Sequence, residues 1–153
     1  RDRVIFAIDA IAADPRRYRD PMVAGPVGLP SQVGGLVLPK AFPWDFGVSV
    51  RGIATVDNTG AIPILPRITV QGSGDDLLVV GGGRRLQFCA FDGTMVFDSK
   101  QRRAWLNGVD VTRSLLRREW PQVAAGERAD FMFEATNPNP DTTLTVEYLI
   151  GAW

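Results

Sequence analysis

Histidine is absent from this 153-residue chain. Its absence removes every Ser-His-Asp and Cys-His arrangement and the commonest zinc ligand. Cysteine occurs once, at Cys89, so no disulfide can form within the chain and no cysteine-based zinc site can be built. Charge of one sign is lacking too: 17 Lys and Arg balance 17 Asp and Glu. A neutral chain lacks the basic field that nucleic-acid binders carry, so no nucleic-acid partner is expected. Apolar runs are short, none approaching the ~18 residues that a spanning helix needs, and no membrane insertion is expected. No targeting pattern is visible. The chain opens at Arg1 directly in a strand-like run, as a piece of a longer protein would.

Turn formers and apolar residues are what the chain has in quantity. Glycine (16) and proline (11) are abundant, and 45% of the residues are hydrophobic. At this length a core can form without covalent staples. The densest pattern lies in residues 84–153. There Ala104 to Val111 reads as two alternating runs around Asn107-Gly108, the strongest short-range signal of a type I′ hairpin. Arg84 to Phe91, Thr94 to Asp98, Asp130 to Ala135 and Thr143 to Ile150 read as further strands, with Asp92-Gly93 as a second hairpin turn.

Taken in order, Arg3 to Ile11 reads as a strand covered on both faces. Pro15, Pro21, Pro26, Pro30, Pro39 and Pro43 make the next stretch an irregular crossing segment. It is also greasy: Phe42, Trp44 and Phe46 would form a sticky patch if exposed, so they are expected packed on a sheet or at a contact with a neighbouring subunit. Gly47 to Asn58 alternates, with Gly52 as a bulge, and Asp57 to Gly60 is a turn. Ile64 to Gln71 and Leu77 to Val80 are strands separated by a turn at Ser73 to Asp76. Gly81-Gly82-Gly83 then turns into Arg84. One helical turn is expected, over Val111 to Arg118 with Thr112 as cap. Strands recurring every 8–12 residues indicate a sandwich or barrel.

Residues for chemistry are few. Cys89, between Phe88 and Phe91, reads as a small buried core residue. The glycine triplet lacks the Gly-Lys-Ser/Thr ending and the following helix of a phosphate cradle. Asp75, Asp76, Asp92 and Asp98 are the carboxylates to consider for a glycosidase-like pair, but they stand where turns favour Asp. No calcium-loop spacing occurs. Lys100, Arg102 and Arg103, with Arg113, Arg117 and Arg118, are the residues to consider for binding an anion, but they read better as a solvated face or as inter-subunit ion pairs. Trp44, Trp105, Trp120 and Trp153 read as core or interface anchors, with Trp105 as the residue for stacking on a sugar. No enzyme activity, metal or cofactor is expected.

The order of motifs carries a resemblance. Ala13 to Tyr18, Leu29-Pro30 with Gly34-Gly35-Leu36, Phe42 to Gly47, Asn58 to Pro63 and Pro66 to Gly72 come first. Leu106 to Asp110, Trp120 to Glu127, Leu144 to Tyr148 and Ala152-Trp153 follow. This succession resembles the C-terminal part of the distal tail, or minor tail, proteins of long non-contractile-tailed bacteriophages. The resemblance implies an all-β, antiparallel, galectin-like β-sandwich over residues 47–153. Residues 1–46 would then be the end of an upstream ring-forming domain and its Pro-rich connector. It further implies a structural hub at the virion tail tip, made in the host cytoplasm. Other copies in a ring, tail-tube proteins and tail-tip proteins would be its partners. The alternative reading is a module of the tip that binds host cell-wall glycan. Within the motifs, Pro121, Gly126 and Trp120 serve turning and packing.

Overall fold

Gly82 and Gly83 sit at φ 56° and 70°, the left-handed pair that a two-residue type I′ turn requires. They join two strands of 15 residues each, and this hairpin organises the molecule. The computed structural model describes residues 14, 16–29, 31–33, 48–50 and 52–152. Its strands are β1 (Arg17–Tyr18), β2 (Met22–Gly28), β3 (Ser31–Val33), β4 (Val48–Val50), β5 (Ala54–Asp57), β6 (Arg67–Gly81) and β7 (Arg84–Asp98). Beyond them come β8 (Arg103–Leu106), β9 (Val109–Asp110), β10 (Arg117–Arg118), β11 (Arg128–Thr136), β12 (Thr143–Tyr148) and β13 (Gly151–Ala152). Every pairing is antiparallel. The chain is all-β, with a single 3-10 turn at Thr112–Ser114 among the described residues.

The two halves of the hairpin serve different layers. The first half of β6 pairs with β12, which pairs with β2; the matching half of β7 pairs with β8, which pairs with β9. The second half of β6 pairs with β11, which also pairs with β5, and the start of β7 pairs with β10. Both layers bury their inner residues in one core: Ile68, Val70, Met95, Phe97 and Leu144 from the first, Leu77, Val79, Phe88, Phe131 and Phe133 from the second. The result is a sandwich-like arrangement of antiparallel layers.

Passing from one layer to the other changes the phase of the alternation. β6 buries Ile68 and Val70, then Leu77 and Val79; β7 buries Leu86 and Phe88, then Phe91, Met95 and Phe97. In both strands the inward parity flips, yet the ladder stays paired through Gly72↔Gly93, Ser73↔Asp92 and Asp75↔Ala90. Ser73–Asp76 and Asp92-Gly93, expected as turns, are therefore a twist within continuous strands. Gly72, Gly93 and Asp76, at φ 142°, 108° and 48°, absorb it. A break in alternation reads the same in sequence whether the chain reverses or merely rotates.

At the twist the flanking strands stop, and side chains take over the backbone groups left behind. Asn107 Nδ2 donates to the Asp92 carbonyl (2.8 Å) and its Oδ1 accepts from Thr94 N–H (2.9 Å). On the other strand the buried Thr142 hydroxyl donates to the Ser73 carbonyl (3.3 Å), which also accepts from Asn139 N–H (3.0 Å). Asn107, at φ 50°, and Gly108, at φ 83°, also form the expected hairpin turn between β8 and β9.

Other expectations change in detail. The predicted helix over Val111 to Arg118 is only the short 3-10 turn, followed by β10; Thr112 makes no side-chain cap. Its hydroxyl instead accepts from Ala104 N–H at 2.9 Å, holding the turn against β8. Part of the proline-rich crossing segment is ordered as β2, an edge strand in which Pro26 lies at a register shift. β1 and β2, both before residue 47, pair with β13 and β12. Cys89 is exposed rather than buried, because it lies on the outer side of β7 beside the phase change. The strand expected over Arg3 to Ile11 lies outside the described residues. Trp120 packs against the core, Pro121 and Val123 are buried, and Gly126 turns at φ 75°, as the motif predicts.

Asn58 ties the loops. Fully buried, it donates from Nδ2 to the carbonyls of Ile62 (2.9 Å), Val123 (3.0 Å) and Ala124 (3.0 Å), and its Oδ1 accepts from Gly60 N–H (3.0 Å). Its own N–H and carbonyl bond to Glu127 and Gly126. One side chain thus joins the loop before β6 to the loop before β11. Asn58→Ala leaves the buried Ile62 carbonyl and the Gly60 N–H without these partners and removes one of two bonds from the Val123 and Ala124 carbonyls, and it is expected to cost roughly 2–4 kcal/mol. An unchanged urea midpoint would refute the role.

Candidate functional site

Trp105 stands on the outer face of the first layer, and the register shows what surrounds it. Its neighbours Ala104 and Leu106 oppose Phe97 and Met95, whose side chains enter the core. Trp105 itself opposes Val96 on one side and Asp110 on the other. Extending the row across the layer gives Thr145, Thr69, Val96, Trp105 and Asp110 on five successive strands. The next outward row is Glu147, Arg67, Asp98 and Arg103, which alternates in charge from strand to strand. A third row holds Thr143, Gln71 and Thr94. The face is therefore polar and threonine-rich around one half-buried indole.

Two hollows open on it. A groove of about 490 Å³ is lined by Thr94, Val96, Gln101, Trp105 and Asn107, with Arg67 and Asp98 at its border. A smaller pocket of about 270 Å³ shares Arg67 and Asp98 and continues to Tyr18, Leu65, Lys100 and Glu147. Lys100 Nζ lies 5.9 Å from the centre of the Tyr18 ring, a cation–π distance. The strip thus has an aromatic ring at each end and charged side chains between them. Apolar ring faces beside hydrogen-bonding side chains suit a polyhydroxylated ligand, whose C–H faces stack and whose hydroxyls need donors and acceptors.

Not all the polar groups here are free for a ligand. The Asp98 carboxylate accepts from Gln101 N–H at 2.8 Å, which closes the turn between β7 and β8. Asn107 is committed to the twist. Arg67 and Glu147 make no ion pair among the described residues. Arg103 pairs with Asp110 at 3.5 Å on the exposed edge. The hydroxyl and N–H of Thr112, with Arg103 and Arg113 beyond, hold the Asp110 carboxyl below the ordinary aspartate value.

The sequence-predicted residues fall as follows. Trp105 lies in the groove. Phe42, Trp44 and Phe46, expected at a subunit contact, lie outside the described residues. Asp75 and Asp92 line one shallow hollow near the twist, whereas Asp98 is six residues further along β7, on the order of 20 Å away. Arg102, Arg103 and Arg113 border another hollow, beside Asp110. Tyr18 and Arg67, which complete the strip with Lys100 of the basic cluster, are not marked by the sequence because nothing local joins positions from distant segments. No group of three or more His, Cys, Asp or Glu side chains with metal-binding arrangement occurs among the described residues. No family model, curated protein or solved structure matches this chain.

The Asp110 contacts are measurable. A folded-state value below the unfolded one stabilises the fold above about pH 3.8, and that contribution disappears as pH falls through the lower folded value. Thr112→Val removes the hydroxyl, so the Asp110 titration followed by carbon NMR is expected to move upward; a midpoint that stays put would show that the hydroxyl is not its cause.

Proposed function

We propose that this chain is a structural component of a bacteriophage tail tip, a distal or minor tail protein acting as an assembly hub between tail tube and host-attachment apparatus. The observation that carries the reading is the order and spacing of the motifs from Ala13-Asp14-Pro15 to Ala152-Trp153. An antiparallel, sandwich-like β architecture is what that resemblance implies, and a galectin-like sandwich is its finer form. On this reading the protein works by contact rather than by catalysis. Other copies in a ring, tail-tube proteins and tail-tip proteins are its partners, with Phe42, Trp44 and Phe46 at a subunit contact in the assembled virion.

The motifs have physical roles consistent with a scaffold. Leu106 to Asp110 closes a hairpin, Trp120 to Val123 packs on the core, and Asn58 ties two loops together. The test is the mass of the protein in solution by light scattering. A closed assembly of several copies is expected, and a chain that remains single at high concentration would count against the hub.

A second reading is favoured by one specific observation, the Trp105 groove. There the tip component also grips host cell-wall glycan, with the indole stacking on a sugar face and Arg67, Thr94 and Gln101 reaching its hydroxyls. Titration with cell-wall oligosaccharides is expected to change the tryptophan fluorescence. Trp105→Ala should weaken binding about tenfold, ~1.4 kcal/mol, with the fold intact by circular dichroism. Silence across such glycans, or full affinity in the variant, would remove this reading.

A further inference from the structure

The neutral total charge conceals a local excess. Residues 100–118 hold six Lys and Arg against one Asp, which leaves eleven against sixteen in the rest of the chain. In sequence such a run reads as a solvated face, because cations close in the chain need not meet in the fold. Here the turn before β8, β8 itself and the 3-10 turn after β9 bring three of them together. Arg102 ends the turn before β8, Arg103 opens β8, and Arg113 is the middle residue of the 3-10 turn. The Thr112 hydroxyl, accepting from Ala104 N–H at 2.9 Å, holds that turn against β8.

These three arginines border one hollow of about 460 Å³, together with Asp110, Gln101 and Ser114. Of the three, Arg103 has an ion-pair partner: its Nη1 lies 3.5 Å from the Asp110 carboxylate. Arg102 and Arg113 have none among the described residues. The other Asp110 oxygen accepts from Thr112 N–H at 2.9 Å. The hollow therefore carries two positive charges in excess, beside a serine hydroxyl and a glutamine amide that can complete the hydrogen bonds of an oxyanion. Arg118 donates to the Arg113 carbonyl at 2.9 Å, which brings a fourth guanidinium to the same turn.

Arg102 adds an independent observation. Its φ is 54°, in the left-handed region that glycine or asparagine ordinarily takes at the end of a turn. Turn chemistry alone does not select an arginine there. The hollow is also continuous with the Trp105 groove. Gln101 borders both, and Asp110 lies opposite Trp105 across β8 and β9. Arg103 and Trp105, two residues apart on one strand, share its outer face. An aromatic ring that suits a sugar and an arginine cluster that suits an anion thus adjoin on one surface.

We infer that this hollow binds the phosphate group of a phosphorylated sugar whose ring stacks on Trp105. The inference rests on the glycan reading of the Trp105 groove and names the ligand class of that site. Guanidinium forks match phosphate oxygens two at a time, and a phosphate monoester carries about −1.5 to −2 charge at pH 7, close to the excess that Arg102 and Arg113 supply. A carboxylate on the sugar would carry only one charge. A nucleic acid would need the basic field that this chain, at zero formal charge, lacks.

The experiment titrates the full chain with glucose and N-acetylglucosamine, their 6-phosphates, glucuronate and a short oligothymidylate. It follows the nitrogen NMR signals of the Trp105 indole and the arginine Nε groups. A 6-phosphate is expected to move both sets of signals and to bind at least about tenfold more tightly than its parent sugar. That advantage falls several-fold between about 50 and 500 mM salt. Arg102→Gly removes a cation and suits the left-handed backbone, so it keeps the fold and cuts the advantage to below about threefold; Arg113→Gln acts in the same way. Asp110→Asn frees Arg103 of its carboxylate and tightens the phosphate further. If neutral cell-wall oligosaccharides bind and phosphorylation adds nothing, the phosphate site is overturned and the glycan reading stands. If no sugar, neutral or phosphorylated, moves the Trp105 indole, both fall. Glucuronate as tight as the 6-phosphates, an oligothymidylate tighter than either, or an advantage unchanged in Arg102→Gly and Arg113→Gln would also overturn the site.

Discussion

An unbroken ladder of two 15-residue strands that must serve two layers is the constraint on which the rest of this structure depends. A ribbon of that length cannot keep one face inward while its ends lie in different sheets unless it rotates between them. Rotation exposes backbone groups where the flanking strands run out. Thr142 and Asn107 each supply polar atoms at that point, one on either side of the ribbon. The Thr142 bond is part-buried and shares the Ser73 carbonyl with Asn139 N–H, whereas the Asn107 bonds lie at the exposed side of the twist.

Asn58 solves a related problem elsewhere. Loops that cross the end of a sandwich must bury peptide groups without a ladder to receive them. A buried asparagine offers donors and an acceptor in one rigid amide, and here all are used. The Ile64–Val123 bridge adds two backbone bonds beside it, at 2.9 and 3.0 Å. The loop motifs around Asn58 and Trp120 thereby act as one unit, although more than sixty residues separate them in the chain.

The two layers present outer faces of different chemistry. One is threonine-rich, crossed by a row of alternating charges, with Trp105 in a groove. The other carries Leu78, Val80 and Met132 on β6 and β11 beside Gln87, Arg85 and Arg117 on β7 and β10. A polar face with an aromatic ring suits a small hydroxylated ligand. The difference between the two faces follows from which layer each half of the ribbon joins.

Local chemistry was legible in the chain. Asn107-Gly108 and Gly82-Gly83 announced their hairpins because only residues that accept positive φ can make such turns. Asp130 to Ala135 announced a strand, and Phe131 and Phe133 are buried on one face of it because strand alternation has a period of two. The all-β class followed from those signals, and Trp105 was marked as the ring to examine. What required the tertiary structure was everything set by register. Ser73–Asp76 and Asp92-Gly93 carry turn residues, but their partners across the ladder make them a twist. Cys89 has apolar neighbours in sequence, yet the phase change places it outside. Tyr18, Arg67 and Lys100 meet beside one pocket only because strands from distant parts of the chain lie side by side. Turn preference and alternation are properties of a few consecutive residues, so sequence alone determined them; which strand lies beside which depends on how the whole core closes, and that only the fold decided.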